Sequence, residues 1–199
     1  MTSGTPASDR DVPGLVEHFE RTLGPIHSGW SVDPDGAEMP FQLVRFAGGS
    51  DADSVSYATL GLNRQTLSSP DPGRFIRQEL LILAPEALKP DLAASLLLQV
   101  GSMVIGTRRA LLRGDVIGPA GPVVSGSDLT ALYVTMPVYF PDEFAAFAGG
   151  DGDVAIAWLV PITTDEADFI SRHGWDAFED KLVDQDPDLV DFRRSEMKL

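Results

Sequence analysis

Two runs in this sequence are apolar at nearly every position: Leu80-Leu81-Ile82-Leu83, and residues 154–162. A strand with one face in water alternates apolar and polar side chains. A strand apolar on both faces must be covered on both. These runs therefore predict central strands of a sheet with helices packed on it. Three strand-like segments come in succession, at 41–47, 55–63 and 75–83. Pro70-Asp71-Pro72-Gly73 is a turn between the last two, which predicts a hairpin with a long loop. A doubly wound fold fits such a succession poorly. The expected fold is α+β, a single domain with a mixed, mostly antiparallel sheet flanked by helices.

The helices are marked by their punctuation. Leu15, Val16, Phe19 and Leu23 recur at helical spacing until Gly24-Pro25 stops them. Residues 90–107 predict the longest helix, with Pro90 in a first-turn position where its missing N–H costs nothing. Its apolar stretch, 92–106, is interrupted by Ser95, Gln99 and Ser102. It falls short of the ~20 residues that span a bilayer, so a buried core helix is expected. Thr163 and Glu166 form a capping box, and Asp165 and Asp168 suit the positive helix start. That helix ends at Gly174, after which Trp175, Phe178 and Leu182 mark one face of another. Residues 28–40 and 114–127 read as loops, 129–140 as a strand and 142–147 as a short helix. Residues 1–11, small and polar, read as a loose tail.

Charge and composition limit the function. The chain has 199 residues with 15 Lys and Arg against 30 Asp and Glu, a net charge of −15. Such a field repels phosphates, so neither nucleic acid nor an anionic membrane is an expected partner, whereas a basic protein is attracted. Between residues 142 and 191 stand fourteen acidic residues and two basic ones. Asp165, Asp168, Asp176, Glu179 and Asp180 are candidates there for a docking surface toward a basic partner, the alternative being a solvated face. There is no Cys, hence no disulfide or thiolate site, and residues 1–11 lack the apolar core of a secretory signal. A cytoplasmic location is expected.

No catalytic motif stands out. His18, His27 and His173 show no metal-ligand spacing. Asp33-Pro34-Asp35-Gly36 and Asp151-Gly152-Asp153 are fragments of calcium loops better explained as turns. No phosphate-binding glycine loop or nucleophile elbow is present. No catalytic residue, metal or cofactor is assigned, and a hydrolase with a dispersed carboxylate or Ser site is the remaining enzymatic alternative.

The C-terminal half does carry a likeness. Trp158-Leu159-Val160-Pro161-Ile162-Thr163-Thr164-Asp165-Glu166 is an apolar strand running into a helix start. Phe169-Ile170, Gly174-Trp175-Asp176-Ala177-Phe178-Glu179 and Asp188-Leu189-Val190-Asp191-Phe192-Arg193-Arg194 follow. Upstream stand Thr59-Leu60-Gly61-Leu62, Gln78-Glu79-Leu80-Leu81-Ile82-Leu83 and Gly114-Asp115. In order and spacing this resembles the suppressor of fused domain, in its compact bacterial form, over residues 12–195. The resemblance implies a non-enzymatic binding module. Animal members grip a short peptide of a transcription factor, and bacterial single-domain members are thought to be immunity proteins that neutralise a toxin. It also implies that Asp115 matches a peptide-binding Asp of the family's Gly-Asp loop, and that Met103 stands where the family has an aromatic residue. Read alone, Asp115 suits a turn cap and Met103 core packing. Trp175 and Phe178 are expected in the core, and Arg193 and Arg194 to pair with the acidic segment. The expected partner is a basic toxin domain or, alternatively, a peptide segment sequestered from another protein. Oligomeric state is open.

Overall fold

The computed structural model describes residues 14–33, 35–150 and 152–199. The tail expected over residues 1–11 and the domain start at residue 12 lie outside the described residues. Helix α1 (Leu15–Leu23) leads into strands β1 (Ile26–Val32), β2 (Glu38–Phe46) and β3 (Ser54–Leu60). A 3-10 turn (Leu62–Arg64) and the short β4 (Leu67–Ser68) precede β5 (Phe75–Pro85). Helix α2 (Pro90–Thr107), β6 (Val116–Ile117) and β7 (Leu129–Thr135) follow. A second 3-10 turn (Asp142–Ala145) then gives β8 (Ala146–Phe147), β9 (Val154–Thr163), α3 (Thr164–His173) and α4 (Trp175–Gln185).

The strands make one sheet in the order β1-β2-β3-β5-β9-β7-β6, with β4 added to β5 and β8 to β9. Every pair is antiparallel except β5 with β9, which run parallel at its centre. The α+β expectation and the β3–β5 pairing are met. So is the central place of the two apolar runs, which are buried along almost their whole length.

Four readings change. Residues 28–40 hold most of β1 and the start of β2 rather than a loop. Only Trp30 of β1 is even half-buried, so the strand lacks the alternation that would betray it. The strand read over 129–140 stops at Thr135, ahead of Pro137. The helix read over 142–147 is a 3-10 turn followed by a strand, and Val116–Ile117 within the expected 114–127 loop pairs with β7.

Two cores form, one on each sheet face. On the first, α1, α3 and α4 cover Phe46, Leu81, Tyr133, Ile156 and Trp158. Phe19 stacks on Phe46 with centroids 5.6 Å apart and meets Phe144 edge-on at 5.7 Å. Each such buried ring stabilises the fold by about 1.5–3 kcal/mol. On the second face α2 lies over Phe41, Leu43, Tyr57, Leu80 and Ile82, burying Ala93, Leu97, Val100 and Val104. By length and composition alone α2 is apolar enough to cross a membrane, but this face packs on the sheet. Its outer face stays open, with Leu92 and Met103 each 38% exposed. One helix about 10 Å across covers only about two strands at their ~4.8 Å spacing. The second face is therefore left with clefts on both flanks of α2.

Candidate functional site

Helix α2 ends where Arg108 turns left-handed at φ 53°. The chain beyond is tied down residue by residue. Ala110 N–H donates to Ser68 O at 3.0 Å, and Leu111 N–H to the Gln78 side chain at 2.8 Å. Asp115 accepts from Leu112 N–H through Oδ2 at 2.9 Å, so it does cap its own turn. Gly114 N–H donates to Val134 O, and Val134 N–H to Asp115 O, both at 2.9 Å. These bonds launch β6 along β7, with Val116 opposite Tyr133 and Ile117 opposite Leu132. Gly114 has φ +96°, and a Cβ there would lie 2.5 Å from the Trp175 ring, so only glycine fits.

A clip fastens this loop to the opposite face of the sheet. Arg113 stacks on Trp175, its guanidinium 4.6 Å from the ring centroid. It also pairs two-pronged with Glu179, Nε to Oε1 at 3.0 Å and Nη2 to Oε2. Glu179 further accepts from the Tyr133 hydroxyl at 2.7 Å and from Thr135 at 3.2 Å. Burial pushes its carboxyl upward, but the bonds from Arg113, Tyr133 and Thr135 prevail and hold it below the usual carboxylate range. Burial and the facing carboxylate push Tyr133 above the usual tyrosine range. The Glu179 carboxylate thus spends its bonding capacity inside the protein. Trp175 is half-buried under Arg113, and Phe178 is fully buried as expected.

The structure brings two of the singled-out residues together. Met103 and Asp115 line one cavity of ≈ 350 Å³ with Thr107, Arg109 and Ile117. Met103 and Ile117 also line a neighbouring cavity of ≈ 500 Å³ with Leu92, Leu96 and Gln99. The two form a trough between α2 and β6. Met103 is a wall of this trough rather than a core filler. β6 is an end strand whose outer edge has no strand partner among the described residues. Its unpaired backbone groups are a template for a further strand.

The remaining acidic candidates lie elsewhere. Asp165 and Asp168 on α3, and Asp176 and Asp180 on α4, are solvent-exposed on the face opposite the trough. Asp168 pairs with Arg172 at 3.1 Å. Among the described residues no group of three His, Asp or Glu is placed to hold a metal ion.

Two buried carboxylates escaped the sequence reading as sites of order. Glu166, beyond its capping box, is buried with Arg194 at 2.6 Å and accepts Met197 N–H at 3.1 Å, which pins the C-terminal segment under α3. Arg194 does pair with the acidic segment, as expected, but inside the protein. Glu79 is fully buried on β5 and accepts from the Thr59 hydroxyl, Gly61 N–H at 2.8 Å and Asn63 N–H at 3.1 Å. Burial outweighs these bonds and raises its carboxyl to about 7.

Residues 37–195 match the model of the suppressor of fused protein family. A putative suppressor of fused homologue from Neisseria gonorrhoeae FA 1090 superposes with a TM-score of 0.70 at 20% identity, covering 92% of this chain and 91% of that one. A chain of the Sufu–Fu complex gives 0.68 at 18% identity, covering 95% and 91%. Drosophila Suppressor of Fused gives 0.67 at 18% identity, covering 98% of this chain and 52% of that one. A comparison with curated proteins finds no match. The family match spans most of the sequence and the shared fold extends over nearly all of it: the chain belongs to the suppressor of fused protein family.

Proposed function

We propose that this chain is a non-catalytic protein-binding module of the immunity type, which neutralises a basic toxin by holding an extended segment of it in the trough between α2 and β6. One observation carries the reading: the edge of β6, without a strand partner among the described residues, lies beside a trough lined by Met103 and Asp115. Strand addition supplies affinity through main-chain hydrogen bonds, and trough side chains supply selectivity. One Asp115 oxygen is occupied by Leu112 N–H, which fixes the carboxylate for a cationic or donor group of the partner. The net charge of −15 draws in a basic partner. A relative crystallised in the Sufu–Fu complex supports a protein partner.

The test is capture of a partner from native lysate at low salt, its elution by salt, and kinetics with the identified protein. A basic toxin-like partner is expected. Raising salt to about 0.5 M should slow association strongly. Met103→Lys should weaken binding by about tenfold or more, since it places a charge in the trough. An on-rate indifferent to salt refutes the charge steering, and full affinity in Met103→Lys refutes the trough.

The second reading, a regulator that sequesters a peptide, is favoured by the same open edge, because strand addition needs only an unfolded segment. An isolated peptide of the partner that binds as tightly as the intact partner selects it.

A further inference from the structure

The other flank of α2 holds a different cavity, of ≈ 380 Å³, between the β1–β2 hairpin and the first half of the helix. Ser95 borders both this cavity and the trough, so the helix ridge separates the two. Leu43, Ala94 and Leu98 form an apolar floor, and Trp30, Val32 and Met39 form the wall. Trp30 is braced by Tyr57, with ring centroids 6.4 Å apart. Two carboxylates, Asp33 and Asp91, line the same space from separate elements.

Asp33 is held in place by its own turn. Its Oδ1 accepts Asp35 N–H and Ala37 N–H, both at 2.9 Å, and among the described residues Oδ2 has no hydrogen bond. Asp91 stands in the first turn of α2 and is exposed. Arg45 of β2 pairs with Glu86 at 3.8 Å and does not line the cavity.

We infer that this cavity is a second binding site, for an alkylammonium group: a cationic nitrogen between Asp33 and Asp91 with its apolar chain against Trp30, Met39 and Leu98. An aromatic face attracts a cation through its quadrupole, and the carboxylates add charge attraction that an apolar cavity alone lacks. An anionic or neutral chain of equal size gains only the apolar part. The size suits a small ligand or one long side chain. The site is separate from the β6 trough and does not depend on the function proposed for it.

The experiment is a titration followed by NMR of the three Trp indole N–H signals, with Trp30→Phe assigning Trp30. Hexyltrimethylammonium is the probe, with hexanol and hexanoate as neutral and anionic controls. Saturable shifts of the Trp30 indole are expected, with hexanol weaker by about tenfold and hexanoate weaker still. Asp91→Asn, an exposed and conservative change, should weaken the probe by about fivefold. Displacement by N-acetyl-lysine methylamide assigns the ammonium to a protein side chain, and its failure to displace assigns it to a free amine. Equal binding of hexanol or hexanoate, an unshifted Trp30 indole, or an Asp91→Asn variant that binds like the wild type overturns the proposal.

Discussion

Glu79→Gln should stabilise this protein at neutral pH and leave it nearly unchanged in mild acid. The carboxyl is fully buried, and its value is raised from 4.5 to about 7. Burial is the dominant cause. The Thr59 hydroxyl and the N–H groups of Gly61 and Asn63 oppose it without overcoming it. Between pH 4.5 and 7 the folded state then holds a proton that the unfolded chain has released. Stability is greatest below the unfolded value and is lost as pH rises through the folded one. A difference of about 2.5 units corresponds to about 3 kcal/mol. In a chain of this length that is about 6–12 °C in Tm.

Glutamine keeps an acceptor for the two N–H groups and cannot ionise, so it mimics the protonated acid. Urea unfolding of both proteins from pH 4.5 to 8 gives the difference directly. The stability gap should open in favour of the variant as pH rises and level off above about 7.5. A gap independent of pH, or a variant less stable at pH 8, refutes the reasoning. It would mean that the three donors stabilise the carboxylate more than burial penalises it.

Gly114→Ala should cost about 2–4 kcal/mol, from the left-handed backbone and the collision with Trp175, measured by urea denaturation. Arg194→Met leaves the Glu166 carboxylate buried and unpaired and should cost about 3–5 kcal/mol. The double change with Glu166→Met should recover part of it, read from the same curves as a double-mutant cycle. Thr163→Ala removes the bond to Glu166 N–H at 3.1 Å and should cost about 1 kcal/mol, visible as a small fall in Tm.

The features legible in the sequence are those whose partners are close in the chain or whose chemistry repeats. Thr163 and Glu166 are three residues apart, so the capping box was readable, and it is present with both of its bonds. The apolar runs of β5 and β9 announce burial on both faces without any partner being known. β1 was not readable because an edge strand with only Trp30 shielded from water carries no alternation. The Gly114-Asp115 loop could be singled out, but its surroundings could not. Glu179 reaches Arg113 across 66 positions and Tyr133 across 46, and only the fold decides that this acid is consumed internally. The trough was equally hidden, since it exists because one helix spans too little of a wide sheet.

The insertion of β9 between β5 and β7 governs how the protein can be made. Before β9 arrives, the main path of the sheet falls into two separate groups, β1-β2-β3-β5 and β7-β6, each with an apolar strand edge unpaired, and the short β8 has no partner among the described strands. Among the described residues no other strand pairing joins them. The closing strand comes after some three-quarters of the chain, and its parallel partner lies 77 positions upstream at Arg77 and Val154. Such a long loop must be closed before its contacts repay the entropy, which makes closure slow. The strands ahead of β9 can therefore pair only as two half-sheets with sticky margins until Val154–Thr163 locks between them. The keystone strand makes completion of the sheet late, and it puts the greatest exposure of apolar strand edges in the unfinished chain rather than in the closed domain.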